Sequence, residues 1–333
     1  MNKRIVPLAL CSALVLSACG GGGGSDGAPA PAPVSTMSVI TTANANKVAG
    51  NAYVGTTVIS ESSSSLSGIL TGVSVGGANV GVVTPALELI WRAYPRVKAQ
   101  LLTGVTLTEA CSGGGSIVIE ANLRNEQMAS NGDTIKMTAN NCVEDGDTLN
   151  GSLATTLSNI TGDVFNSSNW SATLDTTFTN FGVTSGGDTV NVNGDMKIAL
   201  TQTNSSTNSV SLSGKSLQTA TRRNGATLGT FALTDYSMTG STRGTTVTSA
   251  TNFAMSGSTN TLGQFSYSVR NIQPFVSNGA MPSAGSLIVN GASSSVTLTV
   301  VSTGSVRLDF SAKGDGVITQ TSNSSWMELL ASI

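Results

Sequence analysis

The chain of 333 residues contains no histidine. That removes the commonest general base and the commonest metal ligand, and it argues against a standard hydrolase or a catalytic zinc site. Charged residues make up 10%, against about 25% in an ordinary soluble domain. No basic patch invites nucleic acid, and no acidic run forms a solvating tail. Aromatic residues are 5%, too few for the two interfacial girdles of a transmembrane barrel. The long apolar run at the start, roughly Ile5 to Leu16, falls short of the ~20 residues that span a bilayer.

What is present begins with an address. Lys3 and Arg4 form a positive n-region ahead of that apolar run, the layout of a signal peptide. Leu16-Ser17-Ala18-Cys19 follows and resembles the lipobox of bacterial lipoproteins. The resemblance implies cleavage before Cys19, a diacylglycerol thioether on its sulfur and an acyl chain such as palmitate on its amine. Gly20 follows the cysteine, where an aspartate would resemble the inner-membrane retention signal; its absence favours the outer membrane. Gly20 to Gly24 then form a flexible coil and Ala28 to Pro33 a stiffer, polyproline-like spacer. About 15 extended residues reach about 50 Å, so a folded body has room to sit clear of the lipid. Loss of Lys3 and Arg4 leaves 14 basic residues against 18 acidic ones.

Of the four cysteines, Cys11 leaves with the signal and Cys19 carries lipid. Cys111 and Cys142 remain, an even pair in an exported chain, and are expected to form a structural disulfide. Ser116–Leu123 and Asp133–Thr138 alternate like strands around the turn signal Asn131-Gly132-Asp133. An antiparallel pair there would bring the two cysteines together. Their spacing is not the C-x-x-C of a redox-active pair.

Upstream, Ala45, Val48, Ala49, Ala52 and Tyr53 recur at helical spacing, with Thr41 or Thr42 as cap. Pro85 is placed to open a second helix carrying Leu87, Ile90, Trp91 and Tyr94 on one face. From Ser116 the period changes to two. Trp170, Ala172, Leu174, Thr176 and Phe178 share a face, as do Val190, Val192, Met196, Ile198 and Leu200, and the pattern recurs through Val306, Leu308 and Phe310. Such alternation marks half-buried antiparallel strands. Turn signals separate them at Ser185–Asp188, Asn224-Gly225, Arg243-Gly244 and Lys313–Gly316. The pattern yields about ten to twelve strands, and Ser324–Leu330 reads as a short capped helix that packs back.

One small motif recurs at irregular spacing: an apolar residue, then Asn, Ser or Thr, then Gly. It occurs at Leu149–Gly151, Val192–Gly194, Leu212–Gly214, Met238–Gly240, Met255–Gly257 and Val289–Gly291. On a strand the glycine shares the apolar residue's face, where it permits a bend, a bulge or close backbone approach. A strongly coiled sheet uses such kinks, whether it closes into a barrel or stays an open trough.

Motifs for chemistry are poor. Gly72-Val-Ser-Val-Gly76 matches a nucleophile elbow but has no histidine to serve it. Gly214-Lys-Ser216 ends like a P-loop, yet Ser209 stands where the first glycine belongs. Asp145 and Asp147 have calcium-loop chemistry, but a solvated turn accounts for them. The fold expected is mainly β: one large curved antiparallel sheet, with one or two N-terminal helices and a short C-terminal helix. The organisation expected is a signal peptide (1–18), a lipidated tether (19–40), a helical segment (41–105) and a β-domain (106–333). The mature part resembles β-rich outer-membrane lipoproteins of Gram-negative bacteria, through Cys111–Gly115 and the closing Trp326–Leu330 helix. The function expected is non-enzymatic, without cofactor or metal, on the membrane through its anchor. An apolar or amphipathic ligand held in a curved-sheet groove comes first. The alternative is a structural or adhesive envelope protein that contacts glycan or protein through its polar Ser/Thr/Asn face.

Overall fold

The computed structural model describes residues 36–60, 104–125, 128–144, 146–164, 166–279 and 281–332. The expected signal peptide, Cys19 with the expected lipobox, Gly72–Gly76, Asp145 and the helix expected from Pro85 lie outside the described residues. Among the described residues one helix precedes the sheet, α1 (Ala45–Ser60), and one follows it, α2 (Trp326–Ala331). Between them run β1 (Val105–Ala110), β2 (Ser116–Asn122), β3 (Thr134–Glu144), β4 (Asp147–Thr161) and β5 (Trp170–Ser185). Next come β6 (Asp188–Asn204), β7 (Thr207–Arg223), β8 (Ala226–Arg243), β9 (Thr246–Thr259) and β10 (Gly263–Ser277). The last are β11 (Ala284–Gly291), β12 (Ser294–Ser302), β13 (Ser305–Ser311) and β14 (Gln320–Ser325).

Among the described residues these 14 strands form one antiparallel sheet in which every strand pairs with its sequence neighbours. β1 and β14 lie at opposite ends of that order, so the sheet is open rather than a closed barrel. The count exceeds the expected ten to twelve. β14 has no apolar residue to alternate, and β9 carries Thr and Ser on its inner face, where Ser249, Thr251 and Thr259 are buried. The expected turns at Ser185–Asp188, Asn224-Gly225, Arg243-Gly244 and Lys313–Gly316 all fall between strands. The turn expected at Asn131–Asp133 is present, with Asp133 N–H donating to the Ser130 carbonyl at 3.1 Å, and it closes a longer loop. There the buried Asp133 carboxylate accepts from the Arg124 and Ser130 backbone N–H groups.

The meander has two ends. The turns β1–β2, β3–β4 and onward to β13–β14 lie at the end where residues 36–40 join the sheet, here the proximal end. Ser38 N–H donates to the Ser266 carbonyl at 2.8 Å, and the Ser38 carbonyl accepts from Ala292 N–H at 2.9 Å. The chain then turns inward at the buried Ile40, and Thr41 accepts from the first amides of α1. Helix α1 packs on the inner face over β8, β9 and β11–β13. Ala45, Val48, Ala49, Gly50, Ala52 and Tyr53 are all buried; the small residues let the helix approach the sheet closely. At the distal end the Tyr53 ring meets Phe275 edge-on at 5.4 Å and Trp326 at 4.4 Å. Trp326 opens α2, whose Ser325 and Glu328 make a reciprocal capping box, an arrangement that satisfies two otherwise orphaned amides.

The recurring apolar–polar–glycine motif has a structural use. Bulges run across the sheet, and glycines sit opposite them. β5 carries an extra residue against both neighbours between Phe178 and Phe181. There Asn180 has φ +46°, and its carbonyl lies where a Gly151 side chain would stand. β7 carries an extra residue opposite Gly194–Lys197, and there the Ser216 carbonyl takes the space beside Gly194. An Asn or Asp on the neighbouring strand ties down three of the bulges. Asn150 accepts from Asn141 N–H (2.9 Å), Asn193 from Asn180 N–H (2.8 Å), and Asp195 from the N–H groups of Lys215 and Ser216 (both 2.9 Å). Bulges bend a strand and increase its twist; a row of them coils the whole sheet.

Candidate functional site

The inner face is mostly apolar and buried. Leu157, Leu174, Ile198, Phe265, Leu287, Val289 and Leu298 are fully buried within one continuous cluster that includes α1.

Two recesses lie on the outer face. The larger, about 500 Å³, spans β1–β5 and is lined by Thr106, Glu120, Asn122, Lys136, Thr156 and Asp175, among others. Its floor arises from strand register. Lys136 pairs across to Glu120 on one side and to Ala154 on the other, and Asp175 pairs with Lys197. Ala154 is short, so a dip opens between two charged rows. Each carboxylate is held by a lysine, Glu120 by Lys136 at 2.8 Å and Asp175 by Lys197 at 3.2 Å. Exposed cross-strand pairs of this kind add little stability but fix where hydrogen-bonding groups stand. The remaining lining is mostly threonine hydroxyl, donor and acceptor at once. A second recess of about 370 Å³ spans β6–β10 and is lined by Thr201, Ser209, Ser211, Thr239, Ser241 and Thr248, with Pro274 at its rim.

Other titratable groups serve the frame. The Arg223 guanidinium grips Asp188 across β6–β7 and holds that carboxyl below its usual range. Tyr236 donates from its phenol to the Asp195 carbonyl at 2.6 Å; burial first, and then the Asp195 charge, push its ionisation well above the ordinary value. Glu328 is held low by the Ser325 backbone amide and hydroxyl.

Cys111 and Cys142 form a disulfide with Cα atoms 5.4 Å apart. It joins the β1–β2 turn to β3, as the antiparallel pairing of β2 with β3 requires. Glu144 stands beside it, accepting from the Ser112 amide and hydroxyl. With both sulfurs oxidised this trio has no thiolate to offer a metal. Gly214-Lys-Ser216 is a bulge on β7, where Lys215 pairs with Asp235, not a phosphate-binding loop leading into a helix. The outer-face recesses were not legible as sites, because a threonine on an exposed strand looks the same whether or not it lines a dip. The one usable signal was Ala154 among larger outward residues.

No known protein family matches any part of the chain, and no curated protein or solved structure matches it either. No helix among the described residues is long and apolar enough to cross a membrane, which says nothing of membrane barrels.

Proposed function

We propose that the chain is a non-enzymatic lipoprotein of the Gram-negative outer membrane, held by acyl groups on Cys19, that contacts cell-envelope glycan through its polar outer face. The lipobox and the signal-like segment before it support the anchor. The observation that carries the contact surface is the recess across β1–β5, about 500 Å³, within the usual range of ligand sites, ~300–1,000 Å³. Its lining of threonine hydroxyls and lysine-held carboxylates suits a polyhydroxylated ligand. The buried inner face gives the apolar-ligand reading less support, since an occupant would have to displace packed side chains.

The test is binding of soluble envelope polysaccharides, followed by calorimetry, to the wild-type protein and to Ala154→Tyr. The tyrosine fills the floor of the dip from an exposed position. Affinity falls at least about tenfold, a loss of about 1.4 kcal/mol, while the unfolding midpoint stays put. Glycan binding that ignores Ala154→Tyr would move the contact elsewhere. A co-purified apolar molecule would return the inner face to first place.

A further inference from the structure

We infer that the proximal end of the sheet docks on the lipid surface, through an apolar patch formed by Met37, Val39, Val317 and Ile318. The inference rests on the lipid-anchor reading and adds to it an orientation of the folded body. These four side chains are exposed, between 46% and 63%, and they come from two segments that flank one turn. On one side, Ser38 between Met37 and Val39 bonds to Ser266 and Ala292, beside the β11–β12 turn. On the other, the β13–β14 loop folds against the same turn: a Cβ on Gly314 would lie 3.2 Å from the Ser294 amide nitrogen. That loop continues into Val317 and Ile318, and Thr319 N–H then rejoins the sheet at the Phe310 carbonyl. The large exposed apolar side chains of the distal end, Met128, Val301 and Met327, stand instead on three separate elements.

Lipid is the occupant because of where the chain leads. The patch begins at Met37, beside the first described residue and 18 residues after Cys19 in the sequence. A tether of the composition read from the sequence, part glycine-rich coil and part polyproline-like spacer, spans about 25–30 Å on average, far less than its fully extended reach. The anchor therefore holds the proximal end at a millimolar effective concentration near the bilayer, where a small patch with weak intrinsic affinity is engaged. Lys313, exposed on the same loop, adds a cation toward anionic headgroups. Asp315, the nearby acid, is used within the loop, accepting from Ser311 Oγ and Val317 N–H.

The test uses the full chain, purified from bacterial membranes with its native N-terminus and reconstituted into vesicles of phosphatidylethanolamine and phosphatidylglycerol. Nitroxides are placed at Val317→Cys, Ile318→Cys and, as distal control, Val301→Cys. The expected result is a several-fold higher oxygen-to-nickel accessibility ratio at 317 and 318 than at 301. If all three labels report water while the protein floats with the vesicles and Cys19 carries acyl mass, the anchor stands and the docking fails. If the protein neither floats nor carries acyl mass, both fail. Labels at 317 and 318 that report water in vesicles but are immobilised in whole envelopes would seat a protein on the patch and overturn the lipid assignment.

Discussion

Gly194→Ala tests how the sheet is bent. Gly194 has φ +127°, and a Cβ there would lie 2.0 Å from the Ser216 carbonyl oxygen and 3.0 Å from Leu217 Cα. Both are backbone atoms, so the clash is relieved only if the β7 bulge moves by more than about 1 Å, to ordinary van der Waals separation. The strained conformation itself costs about 1–3 kcal/mol for a residue with a side chain. Moving the bulge also pulls the Lys215 and Ser216 amides off the Asp195 carboxylate, from 2.9 Å each, and hydrogen bonds to a charged group contribute about 1.5–3 kcal/mol. Partial loss of those bonds brings the total to the order of 4 kcal/mol, a large share of the 5–15 kcal/mol of a typical domain. The control is Gly225→Ala, with φ +82° and nothing within 4 Å, which costs only the backbone term of about 1–2 kcal/mol. Urea unfolding with the disulfide intact measures both, from midpoints at unchanged slope. If the two variants lose the same stability within about 0.5 kcal/mol, the glycine–bulge pairing does not shape the sheet.

Further expectations concern the staples of the fold. Replacing Cys111 and Cys142 together by serine, or reducing them, lowers stability by about 3–4 kcal/mol in the chain-entropy model, read from urea midpoints with and without reductant. Ser325→Ala removes one half of the α2 capping box and costs about 1 kcal/mol, measured the same way. Glu328 ionises below its ordinary value of 4.5 because Ser325 hydrogen-bonds its charged form. Its support of α2 is therefore complete above that ordinary value and is lost as pH falls through the lower, folded-state value. Tryptophan emission, which includes the buried Trp326, should show this acid step, and Glu328→Gln should abolish it. Asp188, held low by Arg223, has the same sign: Asp188→Asn flattens the acid limb of the stability profile and leaves the neutral and alkaline limbs parallel to wild type.

Much of this architecture is written in side-chain periodicity. Inner-face runs such as Val190, Val192, Met196, Ile198 and Leu200 announce a strand because burial selects every second residue. The closing helix is readable because Ser325 and Glu328 stand at capping-box spacing ahead of an apolar pair. The disulfide follows from two cysteines bracketing a hairpin. Other features leave no such trace. β14 has only polar residues and is a strand because β13 offers it an edge. The bulges at Asn141, Asn180 and Lys215 depend on which residue of the next strand comes opposite, a property of register that a single segment does not carry. The glycine motif pointed to bends, but not to the Asn and Asp side chains that tie them down. The recess over Ala154 is a tertiary product of the same register, and Met37 and Val39 gain meaning only when the fold sets them beside the turn against which the loop carrying Val317 and Ile318 folds.

The most direct test is the intact mass, under native and then denaturing conditions, of the protein extracted from membranes in mild detergent. The account predicts a chain beginning at acylated Cys19, two hydrogens lighter than its reduced form for Cys111–Cys142, with no other apolar molecule retained. A chain without acyl mass at Cys19, or an additional apolar molecule that organic solvent strips from the native protein, would contradict it.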